Sequence, residues 1–535
     1  MKVLGINLSH NASFSIVENG NLLLSIEQER VSRIKKDNQI HNLCNKLKGS
    51  HFEIIGYTSF DMTDERLESD TNYVKHTLKK YNISFNKLIP YDEHHLTHCY
   101  SSFYNSGFEE AVCLIIDNGG TSFIFDGNKY GQEVISIYKL SYNHEPILIY
   151  KLCKNSWGKS MSSGKFYSEN CLSPAGAFET YKDALGFKEP GSIMGLSCYG
   201  KDNKKLPSLY ENLDGFCKPN SFFNEMFLCR EFTRFSNQDF CFRIQQDTTK
   251  VVKNYISWIM KNFGNNICLS GGFFQNSIAN YEFLKLNNNI FVDPVCHDGG
   301  TSIGLAQHLD YTLGNNKPSK YKNLYQGPPY LNQEEELNIF KTPAIDINQN
   351  YKIIECDSKQ IARLLASNKC VGIYQGRSEM GPRALGNRSI LFNPCDPNAK
   401  EKVNLIKNRE WFRPYAGTVL YEHTKDWFDL KGKDETPYMS YVVKVKEDKI
   451  NKIPGVCHID NSCRIQTLKR EQNVNFYSVI EEFYNITKIP VILNTSLNTA
   501  GMPLVESIED LLNMMLKSNI DIIYLPEYGK ALESA

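Results

Sequence analysis

The sequence predicts two domains, an α/β domain followed by an α+β domain, on three observations. At 535 residues the chain exceeds what one ordinary hydrophobic core organises. A layout of strand, polar turn, strand, tight turn and strand occurs twice in its first third. An irregular Pro-, Asn- and Glu-rich stretch, Pro328 to Asn350, then separates this part from an arginine-rich one. The boundary is read there, giving domains 1–340 and 341–535.

The first copy of the layout is Val3 to Asn7, Ala12 to Val17, the turn Glu18-Asn19-Gly20-Asn21, and Leu22 to Ile26. Asn-Gly between alternating apolar runs is a hairpin signal. The second copy is Ala111 to Asp117, Asn118-Gly119-Gly120-Thr121, Ser122 to Phe125, Asp126-Gly127-Asn128, and Val134 to Leu140. By fold analogy, this duplicated opening is typical of the actin-like ATPase fold (ASKHA, duplicated ribonuclease-H-like), whose polar turns face one cleft.

Between the copies runs Asp92-Glu93-His94-His95-Leu96-Thr97-His98. Asp92 is read as an N-cap and Asn105-Ser106-Gly107 as the helix end. His94 and His98 are then one turn apart on one face, a spacing that lets two imidazoles share a metal; the alternative is a structural pair. The missing ligands are expected to be strand-end carboxylates, Asp117 and Asp298, making a mixed N/O site suited to Fe(II), Mn(II) or Zn(II). His10, in Ser9-His10-Asn11, is either a loop-capping histidine or a general base facing the cleft.

Ile267 to Leu269 reads as a strand ending in Ser270-Gly271-Gly272, with a helix after it. Glycines at such a turn can hold a nucleotide near a helix N-terminus. Phe291 to Pro294 leads to His297-Asp298-Gly299-Gly300-Thr301 and a helix, Ser302 to Leu309. In the second domain a strand Tyr351 to Glu355 and a helix Ser358 to Ala366 precede the strand Cys370 to Tyr374. That strand runs into Gly376 to Ser389, where Arg377, Arg383 and Arg388 alternate with glycines. Arginine forks grip phosphate or carboxylate, and glycine lets backbone N–H groups approach an anion. Lys407, Arg413 and Arg464 add charge, and Asn494, Thr495, Ser496 and Asn498 end a buried-looking strand with small polar groups.

Composition narrows the partners. Lys+Arg and Asp+Glu are equal at 60 each, which argues against nucleic acid. From Arg377 to Arg413, however, eight basic residues face four acidic ones, which suits a small anion. No apolar run reaches the roughly 18 residues that span a bilayer, and the N-terminus reads as a strand rather than a leader, so no membrane partner is expected. Sixteen scattered cysteines without a C-x-x-C pair are expected to be free, buried thiols in a cytoplasmic protein.

Taken together, these motifs resemble the O-carbamoyltransferases of the nodulation-protein-U and antibiotic-tailoring group, over essentially the full length. The matching residues are His10, His94 to His98, Asp117, Met194 to Leu196, Ser270 to Gly272, Asp298 to Thr301, Glu379 to Leu391, Lys407 to Pro414 and Asn494 to Asn498. The chain departs from the family pattern at Ser192, where lysine is common, and at Asn118 to Ser122, which lacks a glutamate. Asn461 and Cys463 also stand where Gly and Ala are usual.

The resemblance implies an actin-like domain joined to a YrdC-like domain. The YrdC-like domain would form carbamoyl adenylate from carbamoyl phosphate and ATP at Arg377, Arg383, Arg388, Lys407, Arg413, Arg464, Asn494, Thr495, Ser496 and Asn498. The actin-like domain would hold the intermediate near Gly119, Gly120, Ser270, Gly271, Gly272 and Asn276, and pass the carbamoyl group to a hydroxylated small-molecule acceptor. Its metal, Fe(II) first with Mn(II) or Zn(II) as alternatives, would sit on His94, His98, Asp117 and Asp298, with His10 as base and Mg accompanying ATP. A homodimer is compatible with this reading. An actin-like ATPase or small-molecule kinase is the alternative; it accounts for the first domain but not for the arginine set.

Overall fold

The computed structural model describes residues 1–59, 64–125, 129–155, 161–163, 165–212, 217–220, 235–328 and 351–534. The turn Asp126-Gly127-Asn128 and the stretch from 329 to 350 lie outside them. The chain forms two compact units. One is Met1–Gln28 with Lys36–Lys322; the other is Glu29–Lys35 with Asn323–Ala535.

The first unit holds two sheets. Strands β1 (Lys2–Asn7), β2 (Ser13–Glu18), β3 (Asn21–Glu27), β4 (His51–Thr58) and β5 (Ser84–Tyr91) lie in the order β3-β2-β1-β4-β5. The meander β1-β2-β3 is antiparallel, whereas β1, β4 and β5 are parallel. The second sheet comprises β6 (Glu110–Ile116), β7 (Ser122–Phe125), β8 (Lys129–Ser141), β9 (Ile147–Lys154), β10 (Met161–Ser163), β11 (Phe166–Glu169), β12 (Ile267–Ser270) and β13 (Ile290–Val292). Its path β9-β8-β6-β12-β13 repeats the order and the strand senses of the first sheet. This repeat is the duplicated, actin-like arrangement.

One strand of the expected duplication differs. Ser122–Phe125 does not take the second place beside β6. It pairs only with the start of β8, while the second half of the thirteen-residue β8 takes that place. A four-residue strand is too short to pair along the whole of β6.

Two helices pack between the chain's first-unit strands and carry the residues of interest. Thr301–Gly314 buries Leu305, Ala306 and Leu309 against Val3, Val17 and Ile54. His94–Ser106 buries Leu96, Cys99 and Phe103 against Ala111, Cys113, Ile115 and Cys268 of the second sheet. The helices touch at Gly304, where an added Cβ would lie 2.1 Å from the Thr97 carbonyl. Only a residue without a side chain permits that approach.

The second unit is built on a mostly antiparallel ten-stranded sheet, as an α+β layer. Its strands are β14 (Tyr351–Glu355), β15 (Val371–Tyr374), β16 (Arg388–Phe392), β17 (Ala416–Leu420), β18 (Phe428–Asp429), β19 (Val442–Val445), β20 (Ser462–Leu468), β21 (Val491–Ser496), β22 (Ile522–Leu525) and β23 (Lys530–Ser534). They run in the order β14-β23-β22-β15-β16-β21-β17-β20-β19-β18. Helices Ser358–Ala366 and Val474–Thr487 bury Ile361, Leu365, Phe476, Ile480 and Phe483 on Val371, Ile373 and Ile492. Asp357 starts the first of these helices with a reciprocal cap to Gln360, a device worth about 1 kcal/mol.

All the described cysteines but Cys198 and Cys395 are buried. Among the described residues no helix is long and apolar enough to cross a membrane.

Candidate functional site

Asp117 follows the last residue of β6, and Asp298 starts the turn that leads into Thr301–Gly314. Both point at the first turns of the helix His94–Ser106. Asp298 Oδ1 lies 3.6 Å from Nε2 of His94 and 3.6 Å from Nε2 of His98. Asp117 Oδ2 lies 3.7 Å from His98 Nε2. All four side chains are buried.

Supporting bonds hold each group in place. Asp117 accepts from the backbone N–H of Asn118 at 2.7 Å and of Gly272 at 2.8 Å. Ser9 donates to Asp298 Oδ2 at 2.8 Å. Ser270 Oγ meets His98 Nδ1 at 3.3 Å and is backed by Asp293, which Ser101 also holds.

These residues fit a divalent ion. Ligand atoms of His94, His98 and Asp298 all lie within 4.8 Å of one another. Two ligands each about 2.1 Å from one ion stand about 3.0–3.4 Å apart at usual coordination angles, so only a small contraction is needed. The buried Nε2 of His98 has no hydrogen-bond partner among the described residues. Two imidazoles and two carboxylates are a donor set for Fe(II), Mn(II) or Zn(II).

The charges are strongly coupled. Burial pushes the Asp298 carboxyl up, but His10 and His94 outweigh it and hold the group well below the usual carboxylate range. Burial and the neighbouring Asp298 raise Asp117 instead. His10 is half-exposed, with Nδ1 3.2 Å from Asp298 Oδ2. Burial pulls its imidazole down, yet the charge and hydrogen bond of Asp298 leave it above its ordinary value.

The expected helix start moves by one residue. Glu93, not Asp92, is the N-cap position, and it makes no side-chain cap. The orphan N–H groups are satisfied from across the fold: His94 N–H donates to Thr121 Oγ1 at 2.9 Å, and His95 N–H to Glu133 Oε1 at 3.0 Å. Of the expected intermediate-binding residues, Gly119 packs on Gln132 and Gly120 on Glu133. Gly271 N–H donates to the Cys296 carbonyl at 2.8 Å. Asn276 caps the helix Ser277–Leu284 and bonds Gln245. Ser192, one of the departures, is buried in the helix Gly191–Ser197.

In the second unit the arginine stretch is the connection between β15 and β16, which pair antiparallel. Glu379 organises it: buried Oε1 accepts from the N–H groups of Leu385 at 2.7 Å, Asn387 at 2.8 Å and Arg388 at 3.2 Å. Arg388 is fully buried; it donates to the carbonyls of Gln375, Asn387, Gly376 and Glu506 and covers the Tyr374 ring. Its donors thus hold the backbone of the loop. Arg377 likewise donates to the carbonyls of Gly327 and Gln326. Lys407 is buried, and its ammonium donates to Ser496 O, Ser496 Oγ, Asn498 O and Asn498 Oδ1, tying down the turn after β21. Asn494 bonds Thr418 and Gln466, while Thr495 is buried on the same strand.

The charge itself gathers elsewhere. Burial, then Arg383, Arg409 and Arg413, push the Arg464 guanidinium well below its ordinary value. Arg383, Arg409 and Arg413 thus lie within electrostatic reach of Arg464.

Sequence reasoning did not single out Ser9, Thr121, Glu133 or Glu379 as supports. Glu133 left one signal, an acid directly before the apolar run Val134 to Leu140.

Family comparison agrees with this layout. Residues 53–307 match the family described as Carbamoyltransferase N-terminus, and residues 362–530 match Carbamoyltransferase C-terminus. An uncharacterized protein of Methanocaldococcus jannaschii is 30% identical, covering 98% of this chain and 99% of that one. Nodulation protein NolO of Bradyrhizobium diazoefficiens is 31% identical over 80% of this chain and 76% of its own. Among solved structures, the activator of the 2-hydroxyisocaproyl-CoA dehydratase from Clostridium difficile covers 60% of this chain and 99% of its own, at 13% identity and a TM-score of 0.38. The fold rests on the repeated sheet order rather than on that weak likeness. With both halves matched in order and a relative aligned end to end, the chain belongs to the carbamoyltransferase family.

Proposed function

We propose that the protein is an ATP-dependent O-carbamoyltransferase with two reaction centres. The second unit acts as a YrdC-like domain: one water cleaves carbamoyl phosphate to carbamate and phosphate, and the carbamate oxygen attacks the α-phosphorus of ATP, releasing pyrophosphate and forming carbamoyl adenylate. The first unit transfers the carbamoyl group to a hydroxyl of a small-molecule or sugar acceptor, with AMP leaving. The observation that carries this reading is the convergence of His94, His98, Asp117 and Asp298 beside the half-exposed His10.

Carbamoyl carbonyls are weak electrophiles, so activation needs a good leaving group. In the second unit, Arg383, Arg409, Arg413 and Arg464 offset the phosphate charge as it concentrates in the transition state. Arg388, Lys407 and Glu379 keep the surrounding backbone in shape. In the first unit, His94, His98, Asp117 and Asp298 would hold a divalent ion, which when bound supplies Lewis-acid stabilisation of phosphate. Asp298 faces His94 and His98 with Oδ1 and His10 with Oδ2. Its bond to His10 Nδ1–H fixes the tautomer and leaves Nε2 basic. His10 Nε2 then takes the proton of the acceptor hydroxyl as that oxygen attacks the carbamoyl carbon.

The test is incubation with ATP, labelled carbamoyl phosphate and a library of hydroxyl compounds. Carbamoyl-phosphate-dependent pyrophosphate release, with label moving to a hydroxyl, is expected. Release of ADP without any need for carbamoyl phosphate would instead support the kinase or ATPase reading.

A further inference from the structure

The helix carrying His94 and His98 has no side-chain bond from its own N-cap residue Glu93, and the groups that accept its first N–H groups come from the segment that follows Asp117. Thr121 Oγ1 accepts from His94 N–H at 2.9 Å and donates to the Asp92 carbonyl at 2.8 Å. Glu133 Oε1 accepts two N–H groups at 3.0 Å each, from His95 on the helix and from Thr121 on the turn. One carboxylate oxygen thus joins the two segments that bear His94, His98 and Asp117.

The joint is closed from the other side. Glu133 N–H donates to the Thr121 carbonyl at 3.1 Å, and Asp117 N–H to Val134 O at 3.0 Å. Glu133 is fully buried, and its second oxygen meets Lys151 Nζ at 2.7 Å. Gly120 lies flat on this joint; a Cβ there would come within 2.8 Å of both Glu133 and His95. A buried carboxylate paired with lysine is costly to desolvate, and its presence in a sheet core calls for a task.

We propose that Glu133 and Thr121 are positioning residues for the metal ligands: they set the register of the His94–His98 helix against the turn that carries Asp117. The inference rests on the metal reading above. Ligands must be held within about 0.5 Å of their working positions, and these bonds tie the backbone at His94 and His95 to the segment that follows Asp117. Loss of the clamp therefore weakens metal binding while the fold persists.

The experiment titrates Co(II) into the full-length protein, read by d–d absorption and calorimetry, with thermal unfolding recorded in the absence of metal. The variants are Glu133→Ala and Glu133→Gln, each paired with Lys151→Met so that no buried cation is stranded, and Thr121→Val, which keeps the side-chain volume. Asp310→Asn serves as the control, since Asp310 is a buried carboxylate in the distal half of Thr301–Gly314 that holds Gly20 and Asn316.

The Ala variant is expected to bind Co(II) about 10–100-fold more weakly, as losses of second-layer support do. The Gln variant keeps an acceptor for both N–H groups and stays within about threefold of wild type. Thr121→Val weakens binding about 3–10-fold, and it decides the matter if the Ala variant does not fold. Wild-type affinity in Thr121→Val or the Ala variant overturns the inference, as does an equal loss in Asp310→Asn at matched thermal stability. A wild-type protein that binds no Co(II) overturns the metal reading itself, and this inference with it.

Discussion

Replacing Glu379 by alanine should unlatch the loop that carries Arg383. Three backbone N–H groups converge on Glu379 Oε1, from Leu385, Asn387 and Arg388, at 2.7, 2.8 and 3.2 Å. Glu379 is 1% exposed, so its removal leaves these donors facing a gap in the core. A buried donor without an acceptor costs about 1–3 kcal/mol, and water entering the gap satisfies about one of the three, so the net loss is about 2–6 kcal/mol. Glu379→Gln keeps the acceptor and loses charge assistance alone, about 1–2 kcal/mol.

The assay is urea unfolding of the full chain, followed through Trp411 and Trp427 of the second unit. Alongside it runs carbamoyl-phosphate-dependent exchange of labelled pyrophosphate into ATP. The exchange should fall in the same order as the stability, Ala well below Gln and Gln below wild type. A Glu379→Ala transition within about 1 kcal/mol of wild type, or equal effects of Ala and Gln, would refute the reasoning.

His98→Ala should abolish stabilisation by added metal, which in the wild type reaches about 2.7 kcal/mol at a hundredfold excess over Kd; a retained shift in melting temperature would remove His98 from the ligand set. His10→Ala should lower transfer from preformed carbamoyl adenylate by about 10²–10⁴-fold while pyrophosphate release in the second unit continues; undiminished transfer rules out His10 as the base. Burial, then Arg409, holds the Lys407 ammonium well below the ordinary lysine value. The unfolded chain therefore keeps this proton to higher pH than the folded one, so the Lys407 contribution makes stability rise with pH between the lowered value and the ordinary one. An anion docking beside it restores the proton, so the heat of pyrophosphate binding at about pH 9 should vary with buffer ionisation enthalpy as proton uptake requires, and a flat response sinks this account.

What could be read from the chain depended on how far apart the cooperating residues lie. His94 and His98 were legible because one helical turn puts them on one face. Asp117 and Asp298 were legible because each ends a strand pattern before glycines. The clamp of Thr121 and Glu133 was not, since it joins positions 94, 95, 121 and 133 through bonds that only the folded sheet brings about. The same holds for β7 and β8: propensity identified both strands, but length and pairing decided which lay beside β6. In the second unit the charged stretch was legible as a loop at a strand end. The division of labour within it was not, because whether an arginine meets a ligand or a carbonyl depends on burial. Arg388 and Lys407 are buried and bond neutral oxygens, whereas Arg383, Arg409 and Arg413 act on Arg464 through their charge.

Residues Glu29–Lys35 belong to the second unit although the chain on both sides of them belongs to the first. Within that unit Arg30 donates to the Gly381 carbonyl at 2.9 Å, and Arg33 reaches the carbonyls of Pro503 and Leu504 and the Asp510 carboxylate. The polypeptide therefore visits its second half before finishing its first. A gene cut near residue 323 would not yield two independent modules: the downstream product would lack the strap that braces Gly381, and the upstream product would carry it with nothing to grip. A recombination event at that junction meets the same obstacle, because it separates the strap from the loop it braces.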